Sequence, residues 1–277
     1  MKLAYFLTFL GAFACASLQA QEKKQKYNLF HPVPKAAMRE METDRPDITE
    51  TPITVDAGHL QYESDLFRLE REPSASSAKN VYLFNQAYLK VGLTNSTDLQ
   101  VVIQSFNYSR EKFYEDGSIE HSHGFGDLGL RIKQNLVGND KGNFSLAVLP
   151  YIKFPTSKLE KEERYEGGLL VPMSLKLPNE WKIGMQLEAE RLQDDEGNGL
   201  HTQLLESLTV SHKIAGKLDG LAETYYTYDV KHHHWSNYLN AALQLEVAKD
   251  VKLDAGLNYG IQHDAMKSYF MGLSFRL

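Results

Sequence analysis

Two histidine clusters are the residues whose type most readily suggests chemistry: His121-Ser122-His123 and His232-His233-His234. Neutral imidazoles ligate zinc, copper or nickel, so His121, His123, His232, His233 and His234 are the metal-ligand candidates. Both clusters fall in loops, and exposed histidine commonly serves as plain polar surface, so no metal and no cofactor is expected. Catalysis would require a nucleophile beside a base, or a carboxylate pair held together. The chain has no G-x-S-x-G and no Ser/His pair whose spacing forces proximity, so it reads as a non-enzyme. The acidic stretches Glu160–Glu166 and Asp194-Asp195-Glu196 read as solvated loop charges, with a weak divalent-cation or polysaccharide contact as the sharper alternative.

The remaining charges occupy every second position of apolar segments. Leu128, Leu130 and Ile132 alternate with Arg131 and Lys133; Trp181, Ile183, Met185 and Leu187 alternate with Lys182 and Glu188; Val251, Leu253, Ala255 and Leu257 alternate with Lys252 and Asp254. A period of two is the signature of a strand with one apolar and one polar face. Twelve such stretches follow one another: 58–70, 80–92, 98–109, 125–137, 143–155, 166–177, 181–191, 200–213, 217–229, 234–247, 251–262 and 267–277. The pair at 200–229 alternates least cleanly.

The connections sort by length. Thr94–Thr97, Gly138–Gly142, Pro178–Glu180, Ala215-Gly216 and Ala248–Asp250 are short and carry the Gly, Asn and Asp of hairpin turns. Those near 71–79, 110–124, 156–165 and 192–199 are long, and those near 230–233 and 263–266 are shorter but polar. A soluble sandwich has no reason to alternate loop lengths; an outer-membrane barrel has tight periplasmic turns and long outward loops. With an even strand number both ends of the barrel return to the periplasmic side. In hydrocarbon such a sheet must close, because every backbone N–H and C=O needs an internal partner.

Composition agrees. Hydrophobic residues are 42% and charged residues 24%, and the mean hydropathy of −0.41 excludes a bundle of membrane helices but not a barrel. A formal charge of −6 argues against nucleic acid as a partner. Residues 1–20 have a Lys, an apolar run and small residues up to Ala20, the pattern of a signal peptide cleaved before Gln21; cleavage before Cys15, as in a lipoprotein, is the alternative. The chain's one cysteine is Cys15, so the exported chain forms no disulfide. The expected organisation is a signal peptide (1–20), a polar N-terminal periplasmic segment able to plug the lumen (21–57) and a barrel (58–277). The last stretch, Tyr269–Leu277, has apolar residues at alternate positions and resembles the sorting signal read by the barrel-assembly machinery, although it ends in Leu where Phe is usual.

The polar faces then line the lumen: Glu63, Lys90, Arg131, Lys133, Lys153, Lys182, Glu188, Asp254 and Arg276 are the lining candidates. They carry both signs, which predicts either weak ion preference or a lumen closed by ion pairs. Thr43–Pro52 (TDRPDITETP) is too polar for lipid, and its two prolines bar regular strand pairing. Asp44, Arg45 and Asp47 are therefore plug candidates, with Arg45 expected on an acidic lumen residue such as Glu63.

The TDRPD opening, Gly58–Glu63, Gly124–Leu128 and Leu149–Thr156 together resemble the outer-membrane barrel family associated with meta-pathway phenol degradation, whose members are often called transporters. The resemblance implies a barrel of transport function, without implying phenol as the substrate. The expected protein is thus a monomeric outer-membrane barrel, contacting lipid and acting as a narrow diffusion channel for small, apolar or aromatic solutes. A closed structural barrel and a secreted soluble ligand-binding β-protein are the alternatives.

Overall fold

The computed structural model describes residues 26–157, 164–194, 199–263 and 265–277. The signal-peptide expectation lies outside these residues, as do 160–163 and 195–196 of the acidic stretches. Among the described residues the chain is all-β apart from one 3-10 turn, Lys35–Ala37, and no helix is long and apolar enough to cross a membrane.

The strands are β1 (Leu60–Pro73), β2 (Ser77–Thr94), β3 (Thr97–Phe113), β4 (Ile119–Gly124), β5 (Leu128–Val137), β6 (Phe144–Phe154), β7 (Glu166–Lys176), β8 (Trp181–Gln193), β9 (Leu200–Ala215), β10 (Leu218–Asp229), β11 (His234–Ala248), β12 (Val251–Gly260) and β13 (Lys267–Arg276). All pair antiparallel with their neighbours, and β13 closes the sheet on β1 from Gln61↔Arg276 to Arg71↔Lys267. Twelve strands form the closed barrel. The thirteenth, β4, pairs with the upper half of β3 and belongs to the rim.

The alternation dictates this architecture. Along β5, Leu128, Leu130, Ile132 and Leu136 are exposed while Gly129, Arg131, Lys133 and Asn135 are buried. The same inversion recurs along β12 and β13: Leu253, Leu257 and Met271 face outward; Asp254, Asn258 and Ser274 face inward. A water-soluble fold with an exposed apolar belt and a buried charged interior would be turned inside out, whereas in a bilayer the apolar face meets lipid. Trp181, stacked on His212 at 4.3 Å, lies at the short-turn end. Trp235 packs against Tyr226 and Tyr228 near the opposite end, so aromatic rings stand at both levels where interfaces are expected.

Two loops differ from expectation. The connection expected at 71–79 is only three residues, because β1 runs to Pro73 and β2 starts at Ser77. The loop expected at 110–124 folds back as the β3–β4 hairpin, pairing Asn107–Lys112 with Ile119–Gly124. Above the membrane both strand faces meet water, so the alternation fades while backbone pairing continues. Near the middle of the wall the inward parity of β1, β2 and β3 flips together at Leu66, Asn85 and Ser105. Asn85 there adopts a φ of 53° and donates to Ser105 Oγ at 3.1 Å.

Candidate functional site: a charged strap docked in the lumen

Residues 39–57 run from the short-turn mouth into the barrel, and most of their side chains are buried. Apart from a bridge of Ala57 to Gly92, the strap adds no strand to the wall; its backbone N–H groups are instead taken up by side-chain acceptors. Glu63 Oε2 accepts from Asp44 N (2.9 Å) and Arg45 N (3.2 Å). Glu223 accepts from Ile48 N (2.9 Å) and Thr49 N (2.8 Å). Gln186 accepts from Glu50 N at 3.0 Å and Asp98 from Val55 N at 2.9 Å. Buried backbone donors left unpaired are costly, so these side chains replace the ladder that the prolines deny.

The charges follow a two-sided key. One sector of the inner wall is basic: Lys90 on β2, with Arg131 and Lys133 on β5. The strap answers with Asp44, which accepts from Lys133 at 2.6 Å and from Lys90, and with Glu50, which accepts from Arg131. The other sector is acidic: Asp65 on β1 and Asp254 on β12. Here the strap presents Arg45, which donates to Asp65 at 2.5 Å and to Asp254 at 2.6 and 3.1 Å. The guanidinium lies over the Phe270 ring at 5.7 Å and occupies the space a side chain would need at Gly272, where a Cβ would overlap it. Gly92 plays the same part for the Asp56 backbone.

At the short-turn mouth, Lys182 donates to Glu42 at 2.5 Å. Arg39 and Arg276 bracket Asp56 at 2.8 and 3.0 Å, and Arg276 also reaches Asp250 at 2.5 Å. Burial would raise the carboxyls of Glu42 and Asp44, but neighbouring lysines outweigh it: Lys182 and Lys176 hold Glu42 down to about 2, and Lys133 and Lys90 hold Asp44 well below the usual range. Asp47 is pushed the other way by burial and by the Glu223 carboxylate.

Each sequence-derived candidate can now be located. Glu63, Lys90, Arg131, Lys133, Lys182, Asp254 and Arg276 face inward and contact the strap. Lys153 faces inward nearer the long loops, paired with Glu166 at 2.5 Å, and Glu188 accepts from Gln186 at 3.0 Å. Asp44 and Arg45 are both buried and bonded to several wall residues, and Asp47 lies beside them, facing the Glu223 carboxylate. The expected side-chain partner of Arg45 requires correction: Glu63 binds its backbone N–H, while its guanidinium pairs with Asp65 and Asp254, because the Gly272 notch directs it there. Sequence reasoning missed Glu42 and Asp56 as charged strap residues, and Glu223 and Gly272 as the strap's counterparts on the wall.

The histidine clusters do not meet. His121 and His123 stand on β4 beside β3; His232 and His233 occupy the β10–β11 turn and His234 opens β11, half-way round the ring. His121 bonds Tyr108 at 2.8 Å, His232 bonds Asp229 at 2.6 Å and His233 bonds Tyr228 at 2.9 Å. Among the described residues no three potential ligands converge on a metal position.

Two cavities flank the strap. One of about 430 Å³ opens toward the short turns, lined by Glu42, Lys176, Trp181 and Lys182. One of about 330 Å³ opens toward the long loops, lined by Tyr88, Val102, Tyr151, Leu170 and Glu188. Both are also lined by Arg45, Pro46, Asp47 and Glu50, which therefore stand between the two cavities as a septum.

A twelve-stranded barrel with an apolar outer belt, a charged interior and an inserted N-terminal strap defines an outer-membrane barrel with a segment docked in its lumen. Residues 43–277 match the family described as "Putative MetA-pathway of phenol degradation", and the chain belongs to that family. The match begins at Thr43 and so includes the septum. Among solved structures, the COG4313 outer membrane channel from Pseudomonas putida F1 is similar at a TM-score of 0.60 and 14% identity, over 85% of this chain and 100% of that one. The NanC porin is similar at 0.50 and 12% identity, over 79% and 100%. At these identities the likeness is one of fold. No curated protein sequence matches the chain.

Proposed function

We propose that this protein is an outer-membrane channel for passive movement of small solutes, with passage governed by the strap. The observation that carries this reading is the septum: Arg45–Asp47 and Glu50 separate two vestibules that otherwise open to opposite ends of the barrel. The strap is held by side-chain bonds and ion pairs, so it can leave without unzipping a wall strand. Tyr88, Val102, Tyr151 and Leu170 among the charges of the long-loop vestibule favour small solutes with an apolar or aromatic part. Export through the N-terminal signal and insertion by the assembly machinery through Tyr269–Leu277 belong to the same proposal.

The density of buried pairs favours one rival, a permanently closed structural barrel. Planar-bilayer recording of the refolded chain, and of a chain lacking residues 21–52, separates the two. A channel gated by the strap gives small or intermittent steps that become large and steady on deletion. A deletion variant that folds, migrates as a heat-modifiable barrel and stays silent would refute the channel reading.

A further inference from the structure

The outward wall of β13, β1, β2, β3 and β4 carries a second charged feature, unrelated to the lumen. The register aligns Lys267↔Arg71, Arg71↔Asn80, Asn80↔Arg110 and Arg110↔His121. These residues therefore form one transverse row. Two residues toward the membrane lies a parallel row of Tyr269, Leu69, Tyr82, Tyr108 and His123, and beyond it Met271, Phe67, Phe84 and Phe106.

The side chains point outward. Arg71 lies over the exposed Tyr269 ring at 5.7 Å, and Lys267 over the exposed Tyr259 ring at 4.7 Å. His121 stacks on Tyr108 at 5.9 Å. Inward neighbours at the same level, Glu72 and Lys79, pair with each other inside the barrel at 3.3 Å. Among the described residues, none of Arg71, Arg110 and Lys267 has an ion-pair partner. Neighbouring strands are about 4.8 Å apart, so the row from β13 to β4 spans roughly 19 Å.

We propose that this row binds the phosphate groups of an anionic lipid in the leaflet on the long-loop side. The inference rests on the membrane-barrel reading above. The order across the wall is apolar, then aromatic, then cationic, which matches acyl chains, the interface and a charged headgroup in turn. Arginine offers a planar fork to phosphate oxygens, and its stacking on tyrosine fixes the fork without consuming its donors. Among the described residues this face has no acidic neighbour that pairs with them, which leaves the three cations to an external anion. The opposite wall has a different make-up: there Glu206 faces outward and accepts from Tyr226, and Arg191 donates to Thr202 at 2.9 Å.

The test is native mass spectrometry of the folded full-length barrel in detergent, with diphosphoryl lipid A, its phosphate-free counterpart and phosphatidylcholine as probes. The wild type should retain the diphosphoryl lipid selectively. The triple variant Arg71→Gln, Arg110→Gln, Lys267→Gln should lose that retention by on the order of a hundredfold, three surface cations' worth. Arg191→Gln on the other wall should retain it unchanged. Equal retention of phosphate-bearing and phosphate-free lipid by the wild type overturns the proposal and requires no variant to fold. So does undiminished retention by a triple variant that keeps heat-modifiable migration. A barrel that inserts into bilayers but shows no such selectivity refutes this inference alone, whereas failure to insert refutes the membrane reading beneath it.

Discussion

Arg45→Ala is the perturbation from which most follows. The Arg45 guanidinium is buried and bonds two carboxylates from strands at opposite ends of the chain, Asp65 and Asp254. Removing it does not leave both equally stranded, because Asp65 keeps Arg68 at 2.8 Å, whereas Asp254 has Arg45 as its ion-pair partner and a fully buried side chain. Breaking one side of a buried pair costs about 3–5 kcal/mol, here drawn from the docked state alone, since water solvates Asp254 once the strap withdraws. The ratio of docked to undocked strap should fall by roughly a hundredfold to a few thousandfold. In planar-bilayer recordings, brief openings should become dominant. Asp254→Asn in the Arg45→Ala background should restore part of the closure, because the stranded charge is gone. An Arg45→Ala barrel that folds and conducts as the wild type does, with no effect of the second change, would refute the view that this ion-pair cluster holds the septum.

Three further outcomes follow from the same geometry. Gly272→Ala should open the channel much as Arg45→Ala does, because the new methyl takes the space of the guanidinium; unchanged conductance would show that the notch does not position Arg45. Glu42 is held down to about 2 by Lys182 and Lys176 against burial, so the tie it gives the strap to these wall lysines is complete above its ordinary value near 4.5 and is lost as pH falls toward 2. Conductance should therefore rise across that acidic window, and a flat profile would contradict it. Leu130→Arg places a charge on the lipid-facing side of β5 and should destabilise the barrel by about 2–4 kcal/mol near the midplane, read from denaturant unfolding in lipid vesicles; an unchanged midpoint would mean that this face does not meet hydrocarbon.

The barrel was legible in the sequence where one face meets lipid. Leu128, Leu130 and Ile132 against Arg131 and Lys133 give face and register directly, since in that zone the two environments differ most. The signal fades at the rim: Arg71-Glu72-Pro73 and Ile119–Gly124 belong to paired strands whose faces both lie beyond the hydrocarbon, so they read as loops. The strap was visible as a polar, proline-bearing segment that cannot be a wall strand. Its partners were less visible. The Arg45 contact with Asp254 joins positions 209 residues apart, and the choice between Glu63 and Asp65 depends on where Gly272 leaves room. Glu223 lies in the stretch whose alternation is weakest, and its role of capping Ile48 N and Thr49 N is a matter of backbone satisfaction, which side-chain charge alone does not reveal.

The central claim is that solutes pass only when the strap leaves its seat. Thr49 Oγ1 and Ser207 Oγ are 2.7 Å apart, close to the approach a disulfide needs, and Cys15 is the only native cysteine. The Thr49→Cys, Ser207→Cys variant, made in a chain without residues 1–20, would tie the strap beside the septum to β9. Oxidised in a planar bilayer, it should be silent, and addition of a reductant should restore the wild-type openings. Equal conductance in the oxidised and reduced states, with the bond verified by mass, would mean that the path does not run past the strap.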